Sequence, residues 1–425
     1  MKKLKKNWLI ISYFANIDAM APSHHIDDRL LFFMKDGVDV HLLSSPCGAK
    51  YTGLPHTRVS SPAPSGIRYE VRHFLRRKTK TKARFKFWET LLLLPVFPFY
   101  LLEKAFLRLD STWSWFLTAS IPAIFFAIRD RPDVIYSTGG PVSAHLTAMV
   151  TSYLTGIPYI AEFQDPLVHQ YAAPGRLERR FIRKVERLIF RTADAAVFLT
   201  QQAARNAQGR NGNGAKSVAI YAGAVPPGSD IPYSREETFT IAHFGSLGGS
   251  RNMDYVFKAV AALFREQPEL SQYLRLCLFG NNSKEVLKKI AQAPFRETLR
   301  VYGKVKRLEA VEQMHRADVL LLIQNNDDVS YETIPSKVYE YLHTGRPILA
   351  LVYRNPELQD MLEEMGHIVV QGDDEAAIKK GLETYITKWK QNRLQSTTTE
   401  SPYTVQKAVG ELISLVEGVK DVEER

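Results

Sequence analysis

Short runs of nearly continuous apolar residues recur along this chain, separated by amphipathic helical patterns, and the alternation is laid down twice. In the first half the runs are Asn7–Tyr13, Val38–Leu43, Asp133–Ser137, Pro158–Phe163, Ala195–Leu199 and Ser217–Tyr221. Helical patterns cover Ile26–Lys35, Val142–Thr155 and Leu177–Arg191. A strand without polar alternation must be covered on both faces, which in practice means a parallel sheet flanked by helices. A Gly/Pro-rich polar stretch from Ala222 to Thr238 then breaks the pattern as a linker. Beyond it the alternation restarts. Strands are expected at Thr240–Phe244, Leu274–Phe279, Leu299–Tyr302, Asp318–Ile323, Pro347–Leu351 and His367–Val370. Helices are expected at Asn252–Phe264, Leu308–Arg316 and Pro335–His343, with others from Glu375 and from Tyr403. The predicted architecture is α/β: two doubly wound, Rossmann-like domains facing across a cleft, over 1–225 and 238–390, followed by a helical segment over 391–425.

Sheets of this kind bind ligands at the carboxyl ends of their strands. The chain has neither a G-x-G-x-x-G nor a Walker motif, so no ordinary dinucleotide or ATP site is expected. Cys47 and Cys277, the two cysteines, stand far apart without C-x-x-C spacing or histidine neighbours, which argues against a disulfide framework or a zinc site. The acidic pairs Asp27–Asp28, Asp327–Asp328 and Asp373–Asp374 read as helix-start and loop acids, so no bound metal is expected. The start of the chain, four lysines before an apolar run, imitates a signal peptide, but Asn16 and Asp18 interrupt it and a buried first strand explains it as well.

The net charge of +11 is concentrated. Between Arg68 and Lys86 there are nine Lys/Arg against one acid, Glu70. Directly afterwards 91–102 reads LLLLPVFPFYLL, twelve residues without charge. That is too short to span a bilayer, and Pro95 and Pro98 interrupt it. Basic residues next to a short apolar, aromatic segment suit insertion into one leaflet of an anionic membrane. Arg72, Arg76, Arg77, Lys80, Arg84, Trp88, Leu92 and Phe97 are the candidate contacts. Ser111–Ile128, also uncharged, is expected as a buried helix. No helix-turn-helix, zinc or RNA-binding motif supports nucleic-acid binding.

The sharpest local pattern is Tyr331-Glu332-Thr333-Ile334-Pro335-Ser336-Lys337-Val338-Tyr339-Glu340-Tyr341-Leu342-His343-Thr344-Gly345-Arg346-Pro347-Ile348. Pro335 suits a first helical turn and Gly345 a helix end. A helix start with its free N–H groups suits phosphate, and flanking carboxylates suit sugar hydroxyls. The pattern resembles the donor site of the family 4 glycosyltransferases, retaining enzymes of GT-B fold, and in particular their bacterial surface-polysaccharide branch. The resemblance implies that Glu332 contacts the donor sugar and Glu340 the ribose of its nucleotide. Ser336 and Lys337, in the same run, are further donor-binding candidates, Lys337 as the cation that would make up for the one missing at the glycine loop.

Two further stretches are similar to the same branch. Pro132–Ser137, Gly140–His145 and Gly156–Pro166 resemble its acceptor domain, although Gln164 stands where relatives commonly carry arginine before Asp165. Asp165 is a candidate for orienting or deprotonating an acceptor hydroxyl; its alternative is a turn or cap before Pro166. His145 is a second catalytic candidate, placed facing the cleft. Phe244–Asn252, a strand running through glycines into a helix, resembles the diphosphate loop: Gly245 and Gly248 give backbone access, and Arg251 supplies charge where relatives have two cations.

The resemblance implies a retaining hexosyl- or N-acetylhexosaminyl-transferase, an N-terminal acceptor domain carrying the insertion at about 66–110, and a C-terminal nucleotide-sugar domain. It implies a UDP- or GDP-sugar donor, a polyprenyl-linked glycan acceptor, no resident cofactor, and a peripheral place on the cytoplasmic face of the plasma membrane. The alternatives are an inactive partner subunit of the same fold, and a nucleotide-sugar epimerase or hydrolase.

Overall fold

The computed structural model describes residues 6–18, 20–79, 81–107, 109–169, 176–212, 214–227, 231, 233–394 and 400–423. The chain divides into two compact units. The first comprises Met1–Val168, Ala173–Tyr221 and Val405–Arg425, and the second His169–Ala172 and Ala222–Thr404. Both are parallel α/β units, as the alternation of apolar runs predicts.

The first unit is built on strands β1 (Lys6–Ile11), β2 (Val38–Ser44), β3 (His56–Arg58), β4 (Val134–Gly139), β5 (Tyr159–Phe163), β6 (Ala195–Phe198) and β7 (Lys216–Ala219). Their order is β3-β2-β1-β4-β5-β6-β7, all parallel, with Trp8 opposite Val40 on one side and Val134 on the other. Every residue of β4 and β5 is buried. Successive side chains leave a strand on opposite faces. Thus Trp8 and Ile10 join one core with Phe33, Val134 and Tyr136, while Leu9 and Ile11 join the other with Trp115, Tyr159 and Phe163. The last helix, Val405–Glu423, completes the first of these cores through Val405, Val409, Leu412 and Val416, spaced to share one face. Lys6 pairs with Glu417 of that helix at 2.6 Å.

The basic block forms the helix Pro64–Lys78, followed by Lys82–Leu93 and Phe97–Phe106, the last two bent by 73°. Pro95 lies in the break, where its ring and missing N–H stop the first helix. Among the described residues no single helix is long and apolar enough to cross a membrane; this bent pair passes that test by length and composition only. Glu70, the one acid of the block, turns inward and accepts from Ser61 N (2.9 Å), Ser61 Oγ (2.6 Å) and Tyr13 Oη (3.1 Å). Arg72 pairs with Glu89 at 2.8 Å, and Arg68 stacks on Tyr100. Trp88, Leu92, Phe97, Phe99 and Phe106 are exposed, and no residue of Phe97–Phe106 is buried. Arg76 and Arg77 stack on Phe85 and Phe74. Arg84 is exposed, and Lys80 lies outside the described residues.

One expectation needs correcting. The uncharged stretch 111–128 forms the helix Trp115–Asp130, but it is buried on one face only. Trp115, Ala119, Ala123 and Ala127 face the core, while Leu117 (49%), Ile121 (70%), Phe125 (56%) and Ile128 (63%) stand exposed as a second apolar stripe. Small residues on the inner face allow close packing against the helix Val142–Thr155, and the large ones are left outside.

The second unit has strands β8 (Phe239–Phe244), β9 (Leu274–Phe279), β10 (Leu299–Gly303), β11 (Val319–Ile323), β12 (Ile348–Val352) and β13 (Ile368–Gln371), ordered β10-β9-β8-β11-β12-β13 and again all parallel. The strand order reverses between β1 and β4 in the first unit and between β8 and β11 in the second. Those are the points where such sheets open a crevice at their carboxyl ends.

Candidate functional site

The crevice of the second unit is lined by three segments from the motifs singled out in the sequence. β8 and β11 pair at Ile241–Val319 and Ala242–Leu320. One residue further on, His243 Nδ1 donates to Leu321 O at 2.9 Å, so a side chain takes over the bridge between the strands.

From β8 the chain enters the glycine loop. Gly245 has φ +156°, and a Cβ on Gly280, at the end of β9, would lie 2.1 Å from its carbonyl oxygen, so these two turns touch backbone to backbone. Gly248 N donates to Arg251 O, and a Cβ at 248 would press on Ser283 at 3.1 Å. Arg251 is half-buried, and that burial lowers its pKa despite the nearby Asp327 carboxylate. Its Nε has no hydrogen-bond partner among the described residues.

The loop after β11 carries Glu332 and is held from below. Gln324 Nε2 donates to Ser330 O (2.8 Å) and Thr333 O (2.9 Å), and Asn355 Nδ2 donates to the same two carbonyls at 2.6 and 2.9 Å. Tyr353 N in turn donates to Gln324 Oε1. Asp327 caps the 3-10 turn Asp328–Glu332 and accepts from Ser250 Oγ at 2.5 Å, tying this loop to the glycine loop. Glu332 is 1% exposed, with His169 Nδ1 at 3.5 Å from its Oε2.

The helix expected over Pro335–His343 is shorter, Lys337–Leu342, with Ser336 at its N-cap making no side-chain cap bond. Phe244 N donates to Tyr341 Oη at 2.9 Å, which fixes this helix to the end of β8. Glu340 keeps part of its surface and is paired with Lys337 and, at 3.4 Å, with Arg307. Lys337 was expected at the phosphates; here its ammonium is engaged by the carboxylate three residues on. Arg307, Gln324, Asn355 and His243 were not singled out from the sequence, because only the packing of separate loops brings them to the motif.

In the first unit the expected residues separate. Asp165 is exposed in the bend after β5. His145 is wholly buried and does not take the outward-facing position expected of it: Nε2 donates to Gly139 O (3.3 Å), Nδ1 accepts from Ser137 Oγ (2.8 Å), and its ring packs on Phe163. Burial brings its pKa down to about 4, so it is a neutral brace beneath the turn at Gly139.

The carboxyl end of this sheet instead holds a buried ionic group that the sequence reading missed. Glu162, on β5, is bound by Arg29, by His25 Nε2 at 2.6 Å and by Thr138 Oγ1 at 2.8 Å. Arg29 also donates to Tyr136 Oη at 2.9 Å. Burial by itself raises the pKa of Glu162, but Arg29 and His25 overcome it and hold the carboxyl well below its ordinary value. His25 and Arg29 stand four apart on the helix Ala21–Lys35, one face of which meets β4 and β5. The signal available in advance was a glutamate inside the apolar run Pro158–Phe163, where an unpaired charge cannot stand.

Two parallel α/β units, each with a crevice at its strand reversal, define the GT-B class of folds. Residues 34–223 match the model described as a glycosyl transferase 4-like domain, and residues 238–388 match that of glycosyl transferases group 1. The chain belongs to the glycosyltransferases that join these two domains. A comparison with curated protein sequences gives no significant match. Among solved structures, Anabaena HepE in complex with UDP and glucose superposes with a TM-score of 0.62 at 10% identity, covering 98% of this chain and 100% of that one. Sucrose-phosphate synthase from Thermosynechococcus elongatus gives 0.59 at 11% identity over 99% and 98%. The lipopolysaccharide outer core galactosyltransferase WaaB gives 0.57 at 10% identity over 96% and 99%. At these identities the likeness is one of fold.

Proposed function

We propose that this protein is a retaining hexosyl- or N-acetylhexosaminyl-transferase that takes a sugar from a UDP- or GDP-sugar and passes it to a polyprenyl-linked glycan in surface-polysaccharide synthesis. The observation carrying this reading is the pair Glu332 and Glu340 at the strand reversal of the second unit, one buried in a doubly anchored loop, the other half-open between two cations. Glu332 suits the hydroxyls of a sugar, and Glu340 those of a ribose. Arg251 and the glycine loop suit the diphosphate, whose departure they would stabilise through charge and backbone N–H groups. Asp165, exposed on the first unit, is the group proposed to orient or deprotonate the acceptor hydroxyl. The complexes of HepE with UDP and with UDP-glucose lend support through a shared fold.

Thermal unfolding with UDP, GDP, CDP, dTDP and ADP tests the donor site. A ligand at about 100 times its dissociation constant adds roughly 2.7 kcal/mol. One diphosphate is expected to stabilise the wild type and to lose its effect in Glu340→Ala. If none stabilises the protein at millimolar concentration, an inactive partner subunit becomes the better reading. Gln164 in place of arginine, and a glycine loop with Arg251 as its one cation, speak for that reading, and the presence of both Glu332 and Glu340 speaks against it.

The acceptor class rests on the insertion. A bent pair of helices with exposed Trp88, Leu92, Phe97 and Phe106 beside a basic helix suits the cytoplasmic face of an anionic membrane, where each cation near the surface contributes about 1 kcal/mol. The exposed stripe Leu117–Ile121–Phe125–Ile128 adds apolar area to the same unit. Vesicles rich in phosphatidylglycerol are expected to sediment the protein. Raising the salt, or replacing Trp88, Leu92 and Phe97 by serine, should leave it in the supernatant. Equal binding to neutral vesicles at high salt would remove the electrostatic part of the argument.

A further inference from the structure

His243 occupies the one position where β8 and β11 stop pairing, and its two ring nitrogens do different things. Nδ1 faces a carbonyl, Leu321 O, and must carry the hydrogen. In the neutral ring Nε2 is then a lone pair, and it has no hydrogen-bond partner among the described residues although the residue is 3% exposed. A Cβ on Gly245 would lie 3.3 Å from Nε2, so the glycine leaves open the space directly beyond that nitrogen. The glycine loop over it also carries Arg251, whose Nε likewise lacks a partner among the described residues. A buried polar group without a partner costs free energy that a ligand can recover.

We propose that His243 is a ligand-contacting residue of the donor crevice: arrival of the donor diphosphate draws one proton from solvent onto Nε2, and the imidazolium then donates a hydrogen bond to a phosphate oxygen. The inference rests on the donor-site reading above. No covalent bond is made or broken; the balance is one proton taken from buffer per ligand bound. Without ligand, burial and the facing Arg251 keep the ring neutral, with a pKa near 4. Arg251 is the charged group that acts on the ring; Asp327, from the loop after β11, and Tyr341, from the helix Lys337–Leu342, act on Arg251 in turn. A nucleotide-sugar diphosphate brings two negative charges, and opposite charge at close range favours the protonated ring.

The test is calorimetric binding of UDP-glucose and of GDP-mannose to the full chain at pH 6, 7 and 8. Both phosphates of these ligands are esterified, so they exchange no proton in that range themselves. The affinity for whichever binds is expected to rise roughly tenfold from pH 8 to pH 6. Titrations in two buffers of different ionisation enthalpy should give uptake approaching one proton at pH 6. His243→Asn keeps an N–H at the Nδ1 position for Leu321 O but has nothing at Nε2. It should bind more weakly, with a flat pH dependence, while His169 near Glu332 is left in place as the internal control. A wild type with no proton uptake, or an Asn variant retaining the wild-type slope, overturns the proposal while leaving the donor site standing. If neither ligand binds at any pH, the proposal and the donor-site reading fall together. Should the Asn variant fail to fold, the proton count on the wild type decides by itself.

Discussion

Glu332→Ala is expected to lower kcat/KM for sugar transfer by roughly 10²–10³-fold, with the protein still folded. The side chain is 1% exposed, on a loop whose carbonyls at Ser330 and Thr333 are each held by both Gln324 and Asn355. Those bonds belong to the backbone and survive the substitution, so the loop keeps its course and only the carboxylate is lost. A carboxylate on such a support meets a sugar hydroxyl without reorganising, which is where charge-assisted hydrogen bonds act most strongly. Steady-state rates on a nucleotide sugar, with the melting temperature as control, measure this. Glu332→Gln, which keeps the shape and one acceptor oxygen, should fall between the two. A Glu332→Ala enzyme within about threefold of wild type would remove Glu332 from the chemistry. Asn355→Ala should reproduce part of the loss at a distance, because it removes two of the four bonds that hold the loop.

The second large effect is on stability. Glu162→Gln leaves Arg29 with its charge buried and no counter-ion, a change that typically costs about 3–5 kcal/mol. Each kcal/mol lowers the melting temperature by roughly 2–4 °C in a domain of this size, so the first unit should unfold on the order of 10 °C earlier. The pH dependence carries a sign that separates this pair from a merely packed one. Glu162 has its pKa depressed in the folded state, so its contribution is fully present above the unfolded carboxyl value of about 4.3. It is lost progressively as pH falls below that value toward the folded pKa. Acid scans of the wild type should therefore show a loss of stability that Glu162→Gln lacks. Replacing both partners by apolar residues, as in Glu162→Leu with Arg29→Met, should recover much of the loss, since no unpaired charge is left behind. A single variant as stable as wild type would show that Arg29 finds its compensation elsewhere.

The elements that could be read in advance are those whose cause is local. Among the described residues twelve of the thirteen strands stand within a residue or two of the apolar runs that announce them. The central ones, such as β4, β5, β11 and β12, are buried throughout and leave no choice of register, while the outer strands β7, β10 and β13 are more exposed. The strand that escaped, His56–Arg58, is three polar residues at the sheet edge, formed because β2 offers Leu42, Leu43 and Ser44 as partners. The helix over 111–128 was foreseen as an element but misplaced in its environment. Composition reports how apolar a helix is, whereas the choice of face followed from Ala119, Ala123 and Ala127 fitting against a neighbour. The candidate donor residues were legible because Glu332 to Glu340 is one short segment with its own helix signals. Arg307, Gln324, Asn355 and His243 were not, for they reach that segment from other loops.

Sequence alone determined two parallel α/β units, a linker between them, a basic and apolar insertion, and a glutamate pair with a glycine loop at strand ends. All of these depend on residues within about twenty positions of one another, where periodicity and backbone preference act directly. Tertiary structure decided which charges are held and which stay open. It set Glu162 against Arg29 across more than a hundred residues, turned His145 inward, engaged Lys337 with Glu340, and left Nε2 of His243 facing a space that a glycine keeps clear. The reason is physical: the free energy of a polar group depends on its burial and its partners, and both are properties of the packed chain.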